Sequence, residues 1–500
     1  MQSLPTRLSE WVESIRSFKP KRAEPIQAIL DLPLTKRDWA ELEHLVKLSI
    51  GAVAVHAFAA EVQALADEVD GREPFSDDAG RLYATCPQCG ARAPRWRERE
   101  RALQSVLGSF QFRRTEYRCD CSRLFARADD ALGLRERQRM SPWMLTLTEE
   151  HGSEKESFRE AERDLKRWVE EPPSSSAIRE HVVVKASELD AQATQRVSAI
   201  RRNSRDAALY PDAGRADDTM VIEIDGGSVP LRGEDVKTLQ IASDETGEAD
   251  NDEASDSWRE AKLGAIYLLR DRVEKPPSKR QAARGLPGRG QVLRCLEVAR
   301  IGHWEESGFA AELYAEAVRL GLYRVKRVIV VADGAPWILH LQQAFFPQAT
   351  FVLDYWHAME RLCKVGRLAF GENKVEFAKW REARGAELMA GDVAALCRSL
   401  SNLQRRKVIA ARRCDLKKEA QRARRYLRKR REHLRPAEHR AAGLPIGSGL
   451  IEGRIKTVIQ RRTKNPGMRW SLIGIQAVLR LRTHLRKART LKRFAYEPAA

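Results

Sequence analysis

The sequence predicts an α/β fold for its central part, and three observations carry that reading. Apolar, β-branched segments alternate with helix-like segments between about 217 and 362. Two of these strands, MVIEI and VIVVA, run directly into Asp-Gly. A wholly helical stretch then follows, from about 363 to 445. At roughly 100–200 residues per domain, a chain of 500 residues implies about three domains. A hydrophobic share of 43% fits a globular chain, while 32% charged residues and a mean hydropathy of -0.51 argue against a membrane protein. No run of eighteen apolar residues occurs, which excludes a spanning helix. The opening residues, MQSLPTRLSEWVESIRSFKPKR, lack the apolar centre of a secretion signal, so a soluble cytoplasmic protein is expected.

Residues 1–80 read as a helical N-terminal region, with helical apolar periodicity over 38–69. Between 81 and 130 the pattern shifts to short β-like pieces around cysteines. Cys86-Pro-Gln-Cys89-Gly90 is half of a zinc knuckle, its glycine permitting the tight turn. The other half is Cys119-Asp120-Cys121, 29 intervening residues later. Together they predict a zinc-ribbon-like module in which Cys86, Cys89, Cys119 and Cys121 hold a structural Zn²⁺. The second pair is spaced Cys-x-Cys instead of Cys-x-x-Cys, which makes Cys121 the weakest of the four; the alternative is four reduced thiols without metal. Cys295, Cys363, Cys397 and Cys414 stand singly and are read as unligated. Eight cysteines in 500 residues are too few for a disulfide scaffold.

Residues 131–210 read as helical. Ser157 and Glu160 form a capping box for FREAERDLKRWV, Pro172 and Pro173 stop that helix, and Ser176 can cap the next, AIREHVVVKASEL. Two short helices with a tight break predict a helix-turn-helix-like DNA-binding region, although any αα-hairpin looks similar. The α/β texture then spans 217–480. Its strands are 218–227, ending at Asp225, then 263–271, then one opening at 327 and one at 348; a helix covers 309–322. The segment 244–260, with eight acids and one arginine, has the composition of an exposed loop. The break AAGLPIGSGL (441–450) ends the helical stretch, and a further helix opens at 451.

Asp225 and Asp333 share one arrangement: a carboxylate at the end of a buried strand, followed at once by glycine. Open α/β sheets place their active sites there, although Asp-Gly is also ordinary turn chemistry. Glu452 lies in the first helical turn after Gly447-Ser448-Gly449, where an acid could also serve only to offset the helix dipole. The same segment continues into Arg454, Lys456, Arg461, Arg462, Lys464 and Arg469, a cationic set suited to a phosphate backbone. Charge is concentrated at this end of the chain. The net charge is +19, yet residues 401–500 carry 29 Lys/Arg against 6 Asp/Glu, so the first 400 residues net to −4. The densest stretch, 405–435, reads as one long helix with arginines all round. Such a surface either is simply solvated or collects a polyanion by counterion release, most commonly DNA or RNA. No Walker-type phosphate loop occurs, so an ATP-driven reaction has no support.

The set IDGG, VVADGAPWI, FVLDYWHAMERL, PIGSGLIEGRIK and RRTKNPGMRWS resembles bacterial insertion-sequence transposases of the DDE type, closest to the ISKra branch. The resemblance runs from about 80 to 480. It implies an RNase H-like catalytic domain over 217–480 with an all-α insertion at about 363–445; the helical and zinc-ribbon modules read from the residues precede it, and a basic tail, 481–500, follows. It makes Asp225, Asp333 and Glu452 the catalytic triad. Asp354 and His357 match an Asp-x-x-His element after the fifth strand, implying a role in supporting the acids or positioning DNA. Trp258 and Glu260 also match, without an assigned role. Three carboxylates are hard ligands for two Mg²⁺ or Mn²⁺ ions roughly 3.5–4 Å apart, which serve an in-line displacement at phosphorus. The expected activity is cleavage at insertion-sequence ends and transfer of the freed 3′-OH to target DNA. The expected partners are those DNAs and further copies of the chain, in a nucleoid-associated setting and with no membrane. Two other readings stay open: a structure-selective nuclease using the same acids without strand joining, and a catalytically inactive zinc-containing DNA-binding regulator.

Overall fold

The computed structural model describes residues 39–72, 75–169, 171–205, 207–240, 257–276, 289–371, 373–404 and 410–496. The chain divides into two compact units, Met1–His181 and Val182–Ala500. No helix among the described residues is long and apolar enough to cross a membrane.

In the N-terminal unit the apolar periodicity over 38–69 becomes the helix Trp39–Gly71. Its residues Val55, Val62 and Ala66 are buried together with Leu103, Phe110 and Phe112. Those three come from a five-stranded antiparallel meander, β1 (Phe75–Ser76), β2 (Leu82–Thr85), β3 (Arg92–Ser105), β4 (Gly108–Arg118) and β5 (Leu124–Phe125). The strands β3 and β4 are 14 and 11 residues long, where short pieces were expected. Their alternating Arg and Glu read as polar sequence, but alternation of that kind also suits a ribbon whose two edges of charge face water. Short helices follow at Arg127–Ala131, Pro142–Glu154 and Phe158–Leu165. Ser157 caps the last of these, its Oγ accepting the Glu160 N–H at 3.0 Å. The two short helices expected around Pro172 and Pro173 are instead one short helix and one of 28 residues, Ser175–Arg202. Ser174 rather than Ser176 accepts from its first turn, at the Ala177 N–H (3.2 Å). No breaker interrupts the sequence before Asn203, so the helix runs on.

The C-terminal unit is built on a mixed five-stranded sheet in the order β10-β7-β6-β11-β12. These are β6 (Thr219–Pro230), β7 (Trp258–Leu268), β10 (Leu296–Ile301), β11 (Arg327–Ala332) and β12 (Thr350–Leu353); a small hairpin, β8 (Arg272–Lys275) with β9 (Arg289–Val292), lies between β7 and β10 in sequence. Pairing of β6 with β7 and of β7 with β10 is antiparallel; pairing of β6 with β11 and of β11 with β12 is parallel. The helices Phe309–Arg319, Pro336–Phe345 and Tyr355–Phe370 cover the sheet through a continuous apolar core that includes Ile222, Ile224, Leu313, Val330, Leu341 and Leu362.

The helical stretch resolves into Lys374–Met389, Val393–Gln404, Ala410–Lys429 and Pro436–Ala441. Residues 405–409 of the basic run lie outside the described residues. The remainder is not one long helix with arginines all round: it ends at Lys429, turns through Arg431–His433, and buries Leu416, Ala420, Ala423, Tyr426 and Leu427 along one face. The segment after 449 is helical over Gly449–Arg454, passes through a π-helical turn at Ile455–Gln460, and closes at Arg461–Thr463. Arg482 donates to the carbonyls of Thr457 (2.6 Å) and Val458 (2.9 Å) within that π turn. Residues 481–496, expected as a basic tail, are the second half of the helix Leu472–Tyr496. Of the acidic segment 244–260, residues 244–256 lie outside the described residues, and Trp258–Glu260 open β7 instead of ending a loop.

Candidate active site

The sheet register explains why the acids of the three parallel strands meet. The ladder between β6 and β11 ends at Glu223 opposite Val331, and that between β11 and β12 ends at Ala332 opposite Leu353. Counting on from those pairs, Asp225, Asp333 and Asp354 are level with one another, at a strand spacing of about 4.8 Å. Strand β6 does not end at Asp225 as expected. It continues to Pro230 on β7 alone, so Asp225 stands where its other edge has lost its partner. Asp225 and Asp333 are half-buried and open toward solvent.

Burial, together with the carboxylates of Asp333 and Glu260, pushes Asp225 up to about 7, against the opposing pull of the Gly226 N–H and His357. The Gly226 N–H donates to Asp225 at 2.7 Å. A Cβ at Gly226 would meet the Glu260 carboxylate, so a larger residue here has to push that flexible side chain aside. Glu260 thus belongs to the site, although its place in an acidic run made it look like loop composition. The Asp333 turn is held from behind. Its side chain accepts the Ala335 N–H (2.9 Å), the Tyr426 hydroxyl donates to the Asp333 carbonyl (2.7 Å), and Arg430 donates to the carbonyl of Gly334 (2.6 Å), whose φ of 78° is in the left-handed region. The helical insertion therefore grips the turn that carries the second acid.

Asp354 is fully buried and saturated. One oxygen caps the helix Tyr355–Phe370 by accepting from Trp356 (2.6 Å) and His357 (3.1 Å). The other accepts the Ser448 N–H (2.8 Å) and Ser448 hydroxyl and faces His357 Nδ1 at 3.4 Å. Burial would raise its pKa, but the donors at His357 and Ser448 win and hold it below the usual carboxylate range. Conversely the hydrogen bond to Asp354, with Asp333 and Asp225 nearby, outweighs burial and pushes His357 up to about 9, so the ring is an imidazolium at neutral pH.

Glu452 reaches the same place from the far end of the chain. A ligand atom from each of Asp354, His357 and Glu452 lies within 4.8 Å of the others. Asp225, Asp333 and Glu452 form no such tight set; His357 stands among them, within reach of all three charges. The helix that carries Glu452 is tied to the sheet by Glu223, which accepts the Ile451 N–H (3.0 Å) and the Tyr267 hydroxyl (2.9 Å). Burial raises Glu223 to about 7 despite those donors. Period-two alternation puts Glu223 on the face of Asp225, but an acid inside an apolar run carries no local sign of its distant partner.

The six expected DNA-contacting cations separate into two groups. Lys456, Arg461, Lys464 and Arg469 are exposed or partly so, with Lys464 Nζ 5.4 Å above the Trp258 ring. Arg454 is instead paired with Glu297 at 2.8 Å. Arg462 is 1% exposed and lies 4.8 Å from the Trp470 ring centroid, so it is part of the core and not of a phosphate-binding face. The reason is helical phase. Ile451, Ile455, Val458, Ile459, Arg462 and Thr463 form one buried stripe.

In the N-terminal unit the four cysteine sulfurs lie within 4.8 Å of one another. Cys86 and Cys121 are 3.7 Å apart, Cys89 and Cys119 3.4 Å. The short Cys-x-Cys spacing does not keep Cys121 out, because the turn Cys119–Ser122, with Ser122 at φ 68°, folds it back. Burial would raise the Cys86 thiol, but the N–H groups of Cys89 and Gln88 bring it down to about 7. The Cys121 N–H favours a Cys119 thiolate, yet burial and the three adjacent thiols together push it up to about 12. Four such sulfurs in one place are a soft tetrahedral donor set.

A family model, described as an uncharacterised protein family (UPF0236), matches residues 91–241 and 315–496, about two thirds of the chain. No curated protein matches the sequence.

Proposed function

Starting from the fact that the chain belongs to the UPF0236 family, we propose that it is a divalent-metal-dependent DDE transposase that cuts DNA at insertion-sequence ends and joins the freed 3′-OH to target DNA. The observation that carries the reading is the gathering of Asp225, Asp333 and Glu452 around His357 at the carboxyl ends of three parallel strands. A mixed sheet of three antiparallel and two further parallel strands, with acids at adjacent strand ends and a helical insertion after the fifth strand, supports an RNase H-like catalytic domain.

The donor chemistry fits Mg²⁺ or Mn²⁺. Three half-exposed carboxylates supply hard oxygens, and a divalent cation relieves both the burial and the like-charge repulsion that raise Asp225. Asp225, Asp333 and Glu452 would hold two ions, which when bound activate the attacking oxygen and offset charge at phosphorus. Asp354 is too fully hydrogen-bonded to serve as a ligand; it fixes His357 and the Ser448 loop. Glu223 holds the Glu452 helix against the sheet. Lys456, Arg461, Lys464 and Arg469 bind the phosphate backbone, and a structural Zn²⁺ on Cys86, Cys89, Cys119 and Cys121 holds the N-terminal meander together. Assembly of several copies on DNA belongs to the same reading.

The test is strand joining. Purified protein is incubated with Mg²⁺, pre-cleaved 3′-OH ends and a plasmid. Covalently joined product is expected. Hydrolysis without joining would identify a structure-selective nuclease, and binding with neither reaction a catalytically inactive regulator.

A further inference from the structure

We propose that the arginine-rimmed cleft on the β3–β4 ribbon of the N-terminal unit is a second nucleic-acid site, one that takes the phosphate backbone of duplex DNA. The ribbon is a basic island in a region that is otherwise net acidic: residues 92–118 carry eight arginines against three glutamates. Register sorts them by face. Arg97 lies opposite Glu116, Arg99 opposite Arg114, and Arg101 opposite Phe112, so these share one side; Glu98 and Glu100, opposite Thr115 and Arg113, share the other.

On the first side lies a cleft of about 920 Å³ whose lining includes Arg99, Arg101, Arg114, Arg123, Arg137 and Arg139. Its floor is locked. Asp129 pairs with both Arg101 (2.5 Å) and Arg114, Arg114 also pairs with Glu116 (2.9 Å), and Arg101 donates to the Gln138 carbonyl (2.9 Å). These partners neutralise the two deep guanidiniums, yet Arg114 Nε is buried there without a hydrogen-bond partner. The rim differs. Arg99, Arg123, Arg137 and Arg139 are exposed and make no ion pair among the described residues, and they face three exposed acids of the same lining, Glu100, Asp130 and Glu136. Arg137 stands at φ 60°, in the left-handed region that non-glycine residues rarely adopt. A rigid neutral floor beneath four unpaired rim cations is built for an extended anion rather than a buried carboxylate.

The geometry favours duplex DNA as the occupant. The backbone of a duplex can run across the four rim arginines while the exposed end of the ribbon, residues 95–100, follows the B-form major groove, which the deep, narrow major groove of A-form RNA does not allow. The proposal does not depend on the acid site, since a regulator lacking catalysis would use the same cleft.

The experiment uses the full-length protein carrying Asp225→Asn, so that binding is read without cutting. Anisotropy with a labelled duplex of arbitrary sequence is followed across a salt series. The triple change Arg99→Ala, Arg137→Ala, Arg139→Ala is expected to lower the slope of log K against log salt by about 2–3, at roughly 0.9 for each phosphate no longer neutralised. Arg72→Ala with Arg81→Ala, exposed elsewhere in the same unit, is expected to leave the slope unchanged. Circular dichroism checks folding; should the triple variant unfold, Arg123→Glu alone at the exposed rim is expected to lower the slope by about 1 or more. An unchanged slope in a folded rim variant overturns the site, and equal loss on duplex RNA bound as tightly overturns its assignment to DNA.

Discussion

Two positions before Asp225 on the same face of β6, Glu223 joins the sheet to the helix that carries Glu452, across 228 residues of sequence. Removing an acceptor from a buried N–H and a buried hydroxyl leaves both unsatisfied, at about 1–3 kcal/mol each. Glu223→Ala is therefore expected to destabilise the C-terminal unit by about 2 kcal/mol or more, with Glu223→Gln restoring most of that because one oxygen still accepts. In strand-cleavage assays Glu223→Ala is expected to lower the rate while leaving DNA affinity unchanged; equal loss of both would make its role global rather than local. Arg462 makes the opposite point. Its guanidinium lies by Trp470 inside the core, so Arg462→Ala is expected to cost about 2 kcal/mol of stability. Thermal denaturation checks the first part. The DNA-binding salt slope checks the second: it is expected to stay unchanged for Arg462→Ala and to fall for Lys464→Ala.

Among the elements, the C-terminal helix Leu472–Tyr496 shows what sequence charge conceals. Arg480 pairs with Glu312, Arg486 with Glu297 (2.6 Å) and Lys487 with Glu316 (2.9 Å), so Arg486 and Lys487, which read as part of a basic tail, join Arg480 in tying this helix to Phe309–Arg319 and β10. Burial would raise Glu316, but Lys487 and the Tyr210 hydroxyl hold it below the ordinary glutamate value of 4.5. A carboxyl depressed in the folded state contributes stability above its unfolded pKa and loses it as pH falls through the folded one. Melting temperature is thus expected to drop below about pH 4.5, and Glu316→Gln to flatten that acid limb. At neutral pH the same variant is expected to cost about 3 kcal/mol by stranding Lys487. A variant with the wild-type acid limb would contradict the pairing.

The same ion pairs explain why β10 could not be read from sequence. LEVARI carries Glu297 and Arg300 on what becomes a buried strand, and partners elsewhere in the chain, Arg454 and Arg486 for the first and Asp190 and Glu312 for the second, make that tolerable. By contrast the places of Asp225 and Asp333 directly after apolar strand residues were legible as a local pattern, although β6 runs on past Asp225, while Asp354 and His357 came from the family resemblance alone. Also legible was the Ser157 half of the capping box, whose Oγ accepts the Glu160 N–H. Glu260 was not, since its role depends on the pairing of Ser228 with Glu260 across β6 and β7. The phase that buries Arg462 was present in the spacing of Ile451, Ile455 and Val458, but the density of positive charge drew attention away from it.

For the molecule as a whole, the net charge of +19 divides into cations that hold the fold and cations free to meet a polyanion. Lys456, Arg461, Lys464 and Arg469, exposed on the segment that follows Glu452, and the arginine rim of the N-terminal cleft are assigned to the second kind. The proposed zinc on the four gathered cysteines would give the N-terminal unit its own stability determinant. Purified protein is expected to contain about one zinc per chain, and a chelator to lower the stability of that unit; less than about half an equivalent would end the zinc assignment.

The central claim is that Asp225, Asp333 and Glu452 jointly carry a metal-dependent cleavage of DNA. Its most direct measurement is strand cleavage, with Mg²⁺ or Mn²⁺, of DNA bearing the sequences that flank the gene, by wild-type protein and by Asp225→Asn, Asp333→Asn and Glu452→Gln separately. Loss of cleavage in each variant with end binding retained is expected. Cleavage above about a few per cent of wild type in any purified single variant would contradict it.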